Sequence, residues 1–528
     1  MYIARKKVGT AGTGIALHAG RKKMTGYLLG IDAGTTSFKL GLYTDRGAAV
    51  HMVKEEYVLL TQKAGWVEYK AEDYWALLCR LLQRLLAESG IPPERILALS
   101  VSSQGETLIC LDESGRPVMN AICWLDNRSE KEAGRIRAHF GKRLVYEKSG
   151  QADVTATWPA TKILWLKEER PDTFKRTKHY LLLEDYLIYR LTGRNVCEEN
   201  LWASSLLYDI NRDCWWGDML RYLGITEEQL PERMGCGRPV GPVSAAASGQ
   251  TGLSGGTLVV TGALDQTCGS IGAGKIFPGE VTETTGSCLA VSAAVEGFVP
   301  YCEERPVTCQ NHAVKGRYTI LLWSQTAGMV LKWYAGCFLH REALEGTDIY
   351  RLIDREAELA PAGSEGLVML PHLSGASNPE YNAMARGVFY GMTLGHERKH
   401  FSRAILEAVA YMLRRNVEQI EGIGETVSGI YSMGGGAKSD IWCRIKADVT
   451  GKKVETIPVK ECACLGAAIL AGVGAGIFPD IDSAVKRVAG VGRVFVPAQE
   501  NRAVYDRSFA AYIDLYHALE PVFGKYGN

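Results

Sequence analysis

The chain runs to 528 residues, with 60 Lys and Arg against 59 Asp and Glu, a formal charge of +1, and 46% hydrophobic against 23% charged residues. This balance indicates a globular protein of two or more large domains and excludes a small disulfide scaffold, a disordered chain and the bulk electrostatics of a nucleic-acid binder. The 14 cysteines are scattered without zinc spacing or a secretory signal, and no apolar run reaches the ~18 residues of a membrane span, so free thiols and a cytoplasmic protein with no membrane partner are expected.

Residues 1–26 carry Arg5, Lys6, Lys7, Arg21, Lys22 and Lys23 and no acid, which reads as a disordered basic leader. It lacks the serines and helical period of a transit peptide, and because a strand pattern begins at Tyr27, Met24 is read as the natural start. Residues 27–31 and 38–43 form a hairpin pattern around the polar turn 32–37, with a second turn at 45–47. Trp75, Leu78, Leu82, Leu85 and Leu86 fall at helical spacing within 71–89, and 96–102 is a buried-strand run. A helical and loop region with Trp158, Trp165, Trp202, Trp215 and Trp216 fills 130–235, after which Pro239 to Pro242 leads into a strand at 258–261. The second half restarts with strands at 281–287 and 288–294, so that 32–37 has a weak echo in Glu283-Thr-Thr-Gly-Ser287, suggesting two related α/β domains. A long amphipathic helix at 400–421, a strand at 429–433, the glycine run 434–436 and a helix at 438–450 follow. A glycine run between strand and helix is where a nucleotide approaches backbone closely.

Three clusters carry chemistry. The tip Asp32-Ala33-Gly34-Thr35-Thr36-Ser37 offers turn N–H groups and hydroxyls for an anion beside a carboxylate able to hold magnesium, unless it is an ordinary polar turn. Asp265, in Gly262-Ala263-Leu264-Asp265-Gln266 at the mouth of a strand, is placed either to take a proton from a substrate hydroxyl or to cap the following helix. Ser103-Gln104-Gly105-Glu106-Thr107 and Trp124-Leu125-Asp126-Asn127-Arg128 combine directed polar groups with one flat apolar face, which suits a polyhydroxylated ligand; Arg128 by itself reads as a salt-bridge partner.

Two longer patterns complete the picture: Pro159-Ala-Thr-Lys162-Ile-Leu-Trp165-Leu166, and Gly387-Val-Phe389-Tyr-Gly391-Met392 followed by His400-Phe401 and Ala404-Ile405-Leu406-Glu407. With Asp32-Ala-Gly-Thr-Thr, Asp265-Gln266 and Gly434-Gly-Gly-Ala437, the chain from about Tyr27 to about Tyr516 resembles the FGGY carbohydrate kinases. That group contains glycerol kinase, xylulokinase, ribulokinase and gluconate kinase. Thr157 departs from the aromatic or small residue that usually opens the first pattern.

The resemblance implies an α/β fold of two actin-like, ribonuclease-H-like ATPase domains flanking a catalytic cleft. Residues 27–274 would form the sugar side and 275–517 the ATP side, with 518–528 as a tail. It implies Asp265 as catalytic base, Gln266 beside it on the substrate hydroxyls, Asp32 as the Mg2+-linked carboxylate, and Gly34, Thr35 and Thr36 as a phosphate loop. Thr285, Gly286 and Ser287 fall at the second phosphate loop, out of the usual Gly-Thr order, and Gly435, Gly436, Ala437 and Asp440 at the adenosine site. Gln104, Gly105, Glu106, Trp124, Asp126 and Thr157 fall on the substrate side. Mg-ATP is the cofactor implied and a homodimer the assembly.

Gln104-Gly105-Glu106-Thr107 resembles the Gln-Arg-Glu-Thr of glycerol kinase, but Gly105 replaces the arginine and Thr157 stands near where that enzyme has a tyrosine. The Gln-Met-His-Gly type of segment usual in xylulokinases is absent too, while Trp124-x-Asp126-x-Arg128 matches xylulokinase and gluconate kinase better. A ketose is the expected acceptor, with a sugar acid or polyol such as gluconate, fuculose, erythritol or glycerol as the alternative. A non-catalytic actin- or chaperone-like ATPase or sugar-binding protein is the reading of another class, against which Asp265 and Asp32 stand.

Overall fold

The computed structural model describes residues 26–488, 490 and 492–526. The basic leader up to residue 25 and the Met24 start lie outside the described residues. The first sheet contains β1 (Tyr27–Ala33), β2 (Ser37–Thr44), β3 (Ala49–Glu56), β4 (Ile96–Ser103), β5 (Pro239–Pro242) and β6 (Leu258–Leu264), in the order β5-β6-β4-β1-β2-β3. The second contains β7 (Glu280–Thr285), β8 (Leu289–Glu296), β9 (Thr308–Asn311), β10 (Arg317–Ser324), β11 (Gly429–Gly434), β12 (Val454–Thr456) and β13 (Val494–Phe495), in the order β9-β10-β8-β7-β11-β12-β13.

In the first sheet β1–β2 and β2–β3 pair antiparallel, whereas β1–β4 and β4–β6 pair parallel. In the second, β7–β8 and β8–β10 pair antiparallel, and β7–β11 and β11–β12 parallel. One five-strand topology is therefore built twice, and the echo between 32–37 and 283–287 marks the same hairpin tip in each copy. This is the paired α/β arrangement of the actin-like fold. In such open sheets ligands collect outside the carboxyl ends of the parallel strands, where the strand order reverses. Here those ends are Ala33, Ser103 and Leu264 in one sheet and Thr285 and Gly434 in the other.

Helices α1 (Ala71–Ser89), α2 (Pro159–Glu169), α3 (Leu183–Thr192) and α4 (Glu199–Trp202) precede β6, and α5 (Asp265–Ala273) follows it directly. In the second half lie α6 (Arg398–Gly422), α7 (Asp440–Thr450), α8 (Cys462–Gly474) and α9 (Arg502–Tyr526). The side-chain period of two along β1 separates its faces: Leu29 and Ile31 join the core with α1 and α3, while Leu28 joins the core with α8. Helix α1 spans the residues expected from its period and closes on Gly90 at φ 63°, a left-handed position that glycine adopts freely. The 130–235 region places its tryptophans in a separate core, with Trp202 edge-on to Trp215 at 5.0 Å.

Two elements depart from the sequence reading, and a third, α8, crosses to the first sheet. Helix α8, which lies within the residues read as the C-terminal domain, packs onto β1, β4 and β6 of the first sheet. Its Cys-Ala-Cys-Leu-Gly-Ala-Ala-Ile-Leu-Ala-Gly run is apolar all round and small, so it buries on every side and lets backbones meet. A Cβ on Gly30 would stand 1.8 Å from the Cys464 carbonyl oxygen, and one on Gly466 1.9 Å from that of Cys268 in α5. The expected tail at 518–528 is, through residue 526, the last part of α9, where Phe523 is buried and its ring lies 6.0 Å from that of Tyr516. The helix expected from 438 starts at Asp440, because Ser439 caps it by accepting from the Trp442 N–H at 3.1 Å.

Candidate active site

The turn between β1 and β2 is a tight tip. Gly34 N–H donates to the Ser37 carbonyl at 3.1 Å, and Tyr57 O–H donates to the Gly34 carbonyl at 2.6 Å. These bonds hold Gly34, Thr35 and Thr36 in place, with Thr36 exposed. Behind them Asp32 is 7% exposed, and Lys39 on the neighbouring strand places Nζ 3.4 Å from its Oδ2. The same ammonium lies 2.8 Å from Glu461, the residue before α8. Burial raises the Asp32 carboxyl above its usual range, while Lys39 pulls it down. Lys39 and Glu461 were not singled out from the sequence. Lys39 faces Asp32 across the hairpin register, which a two-residue strand period could have revealed; Glu461 arrives only through the α8 crossover.

Asp265 opens α5 directly at the end of β6. Its Oδ1 accepts the N–H of Gln266 at 2.7 Å, a local capping bond that leaves Oδ2 for chemistry. Burial, then the negative charges of Asp32 and Glu106, push the Asp265 carboxyl up from 3.8 to about 7. Burial does the same to Glu106, to about 7, against a bond from Ser204 and the charge of Lys162. Three carboxyl groups at or just past the ends of β1, β4 and β6 thus act on one another, and Asp265 is held where a carboxyl can exchange a proton near neutral pH. No group of three or more ligating side chains able to hold a metal by itself occurs among the described residues.

On the substrate side, Gln104 N–H donates to the Ala33 carbonyl at 3.0 Å, which ties the two strand ends together. The Gln104 side chain is buried with Oε1 unpartnered. Gly105 is packed so that a Cβ would lie 3.0 Å from Leu264 Cδ1, leaving no room for a side chain without displacement. Glu106 holds φ at 56°. Lys162 of α2, which the sequence reading quoted without assigning it a task, is buried and donates to the carbonyls of Glu106 at 3.2 Å and Thr157 at 2.7 Å. Burial lowers its ammonium to about 8. Trp124 bridges to the other tip, its indole N–H donating to Thr35 Oγ1 at 2.9 Å.

Asp126 differs from expectation. It is fully buried, and its oxygens accept from the Val67 N–H at 2.5 Å and from Arg128 Nε and Nη2 at 2.8 and 2.7 Å. Arg128 also reaches Glu68 at 2.8 Å and places its guanidinium carbon over Trp66, 3.7 Å from the ring centre. Both oxygens of Asp126 are therefore engaged within the protein, holding Arg128 and the Val67 N–H.

In the second sheet Thr285 and Gly434 end paired parallel strands. Gly286 and Ser287 are exposed, and their carbonyls accept from Gly328 and Ala327, both at 2.9 Å. The Thr285 hydroxyl points the other way: it donates to Glu283 at 2.7 Å and accepts from Lys446 at 2.9 Å within a wholly buried Lys446–Glu283 pair. Only the backbone of Thr285 faces the tip. Gly435 is exposed; Gly436 is buried, its Cβ position 2.7 Å from Thr285 Cβ, so the glycine run lies directly beside the second tip. Ala437 is 8% exposed, and Asp440 is exposed and ion-paired to Arg493, which also donates to the Ala437 carbonyl at 2.5 Å.

Comparison with known proteins agrees with this geometry. Residues 27–272 match the N-terminal domain and residues 294–475 the C-terminal domain of the FGGY family of carbohydrate kinases. The xylulose kinase of Bacillus subtilis (strain 168) is 30% identical over 496 residues, spanning 93% of this chain and 96% of that protein. The gluconokinase of the same strain is 28% identical, spanning 94% and 97%. Among solved structures, ligand-bound xylulose kinase from Lactobacillus acidophilus superposes with a TM-score of 0.88 at 26% identity, over 95% of this chain and 99% of that one. Gluconate kinase from Lactobacillus acidophilus gives 0.87 at 26% identity, over 95% and 100%. Both halves match, in order and almost end to end, around two hairpin tips and a carboxylate at the mouth of β6: the chain belongs to the FGGY family of carbohydrate kinases and uses ATP to phosphorylate a sugar hydroxyl.

Proposed function

We propose that the acceptor is a neutral ketose of the xylulose class and that Asp265 is the base that activates its hydroxyl. The observation that carries the reading is the convergence of Asp265, Asp32 and Glu106 with no uncommitted cation beside them among the described residues: Lys39 serves Asp32 and Glu461, and Lys162 serves two carbonyls. Such a site repels the carboxylate of a sugar acid and accepts a neutral polyol. Gly105 leaves the place of the glycerol kinase arginine without a side chain, which disfavours glycerol.

In this reading Gln104, Glu106, Trp124, Thr157 and Gln266 surround the acceptor. Asp265 Oδ2 takes the hydroxyl proton as the new P–O bond forms and the bond to the ADP oxygen breaks. Positioning and charge neutralisation then do most of the work. The N–H groups of Gly34, Thr35 and Thr36 and of Thr285, Gly286 and Ser287 cradle phosphates, and Gly435, Gly436 and Ala437 admit the adenosine. Magnesium fits the donor set, since the Asp32 carboxylate, with Asp265 and Glu106 near it, suits an ion whose other ligands are phosphate oxygens and water. When bound, that ion neutralises charge on the transferring phosphate. A homodimer is part of the proposal, supported by the exposed Tyr390, Met392 and Leu394, and light scattering tests it. A cytoplasmic location is supported by the fourteen free thiols.

The test is ADP release with Mg-ATP across pentuloses, hexuloses, aldonic acids, polyols and glycerol, for the parent and Asp265→Asn. Strong stimulation by D-xylulose or a related ketulose, lost in the variant, is the expected result. Preference for gluconate would overturn the acceptor class, and an active Asp265→Asn would overturn the base.

A further inference from the structure

The strand that carries Asp265 is irregular just before it. Val260 pairs with Ser100 and Ala263 with Ser102, so Thr261 and Gly262 together oppose Val101: β6 has a bulge three to four residues upstream of the base. The bulged chain presses on its neighbour, and a Cβ on Gly262 would stand 1.7 Å from the Val101 carbonyl oxygen. Bulges beside active sites re-aim side chains, but they also turn backbone N–H groups out of the ladder.

Here those donors find buried side chains from elsewhere in the chain. Gly262 N–H donates to Glu184 Oε1 at 2.7 Å, and Leu264 N–H, directly before the base, donates to Asn200 Oδ1 at 3.1 Å. Glu184 (α3) and Asn200 (α4) are both fully buried. Asn200 is fixed in turn: its N–H donates to Glu198 Oε2 at 2.5 Å and its amide donates to the Asn311 carbonyl. Glu198 caps α4 through the Leu201 N–H at 2.7 Å and accepts from Cys236 Sγ at 3.0 Å. Glu184 Oε2 has no partner among the described residues, and burial beside Glu198 and Asp185 raises its carboxyl well above the usual range.

We propose that Glu184 is a positioning residue for phosphoryl transfer: with Asn200 it clamps the β6 bulge and so fixes the direction in which Asp265 meets the acceptor hydroxyl. The inference rests on Asp265 being the base. A buried carboxyl group is an unusual choice for holding one N–H, and its reach, rather than its charge, is what the bulge requires. Small misplacements of a reacting group cost rate rather than binding.

Two conservative variants separate reach from charge. Glu184→Gln keeps the acceptor oxygen at the same distance and removes the titratable group; Glu184→Asp keeps the group and withdraws the oxygen by about one methylene. With Mg-ATP and D-xylulose, or the acceptor that the panel identifies, Glu184→Gln is expected to keep kcat within about threefold. Glu184→Asp is expected to lose about thirtyfold in kcat with both KM values within about threefold. Folded enzyme is counted by ADP-binding stoichiometry in calorimetry, so lost protein is not read as lost rate. The reverse order, Asp retained and Gln lost, would assign an electrostatic role and overturn the clamp, as would wild-type kcat in Glu184→Asp. Should Glu184→Asp not fold, Asn200→Ser, which frees the Leu264 N–H, gives the same reading: a kcat loss of about tenfold supports the clamp, and an unchanged kcat refutes it. If Asp265→Asn itself turns over, the base assignment has failed; if it is dead while Glu184→Asp is normal, only the clamp has.

Discussion

Titrating the enzyme tests Asp265 in two independent ways. Its carboxyl is raised from 3.8 to about 7 by burial and by the charges of Asp32 and Glu106, and a base acts only as the carboxylate. kcat/KM for the acceptor is therefore expected to be flat above pH 7 and to fall about tenfold per pH unit below it, reaching roughly a hundredth of the plateau at pH 5. An ordinary aspartate would lose only about a tenth at that pH. Glu106→Gln removes one of the two like charges and should move the bend to lower pH. The same displacement acts on stability with a definite sign. Because the folded-state value is raised, the unfolded chain releases the proton first, and the fold loses stability as pH rises from 3.8 to about 7. The full displacement corresponds to about 4 kcal/mol, which partial exposure of the side chain reduces to ~2 kcal/mol. Asp265→Asn should thus be more stable than the parent by ~2 kcal/mol at pH 8, by less at pH 5 and not at all below pH 3.8, in urea unfolding. Its turnover should fall about 100- to 10,000-fold. A bend near pH 4, or an Asn variant less stable than the parent at pH 8, would refute the reasoning.

Four further substitutions probe the surroundings. Asp126→Asn strips Arg128, whose side chain is 1% exposed, of a buried counter-charge. The cost is expected at about 3 kcal/mol, the lower end for a broken buried pair because Glu68 stays in place, with acceptor KM unchanged; a raised KM at an unchanged urea midpoint would restore Asp126 as a sugar contact. Lys162→Met removes the donor from the Glu106 and Thr157 carbonyls and should raise acceptor KM about tenfold or more while leaving ATP KM alone, which initial-rate kinetics resolves. Gly466→Ala puts a Cβ 1.9 Å from the Cys268 carbonyl oxygen, backbone against backbone, and should cost roughly 1–3 kcal/mol or more in thermal unfolding. Gly134→Ala, in a helix with nothing within 4 Å, should instead stabilise by about 0.5–1 kcal/mol.

Local chemistry was written plainly in the chain. The period of 71–89 spells out α1, the small polar tip after residue 31 marks the β1–β2 hairpin, and the small-residue run before Asp265 marks the junction of β6 with α5. These features depend on neighbours in sequence, where side-chain spacing and turn chemistry are sufficient. The long signatures identified the family, yet several of their polar residues serve the scaffold. Lys162 holds two carbonyls, and Glu407 accepts from Gly363 N–H, Arg403 and Tyr505 at 2.9, 2.8 and 3.0 Å. A motif that must persist for packing looks, in one sequence, the same as one that must persist for chemistry.

What the sequence determined by itself was the α/β grammar, the two hairpin tips and the carboxylates at their mouths. Only the tertiary structure decided which of those groups meet. It brought Glu461 to Lys39 through the α8 crossover, turned the Thr285 hydroxyl inward to Lys446, engaged Asp126 with Arg128, and set Glu184 and Asn200 behind the β6 bulge. The physical reason is that hydrogen bonds and charges act over a few ångströms of space regardless of separation along the chain. A buried polar group must find its partner wherever the packing of apolar faces has put one.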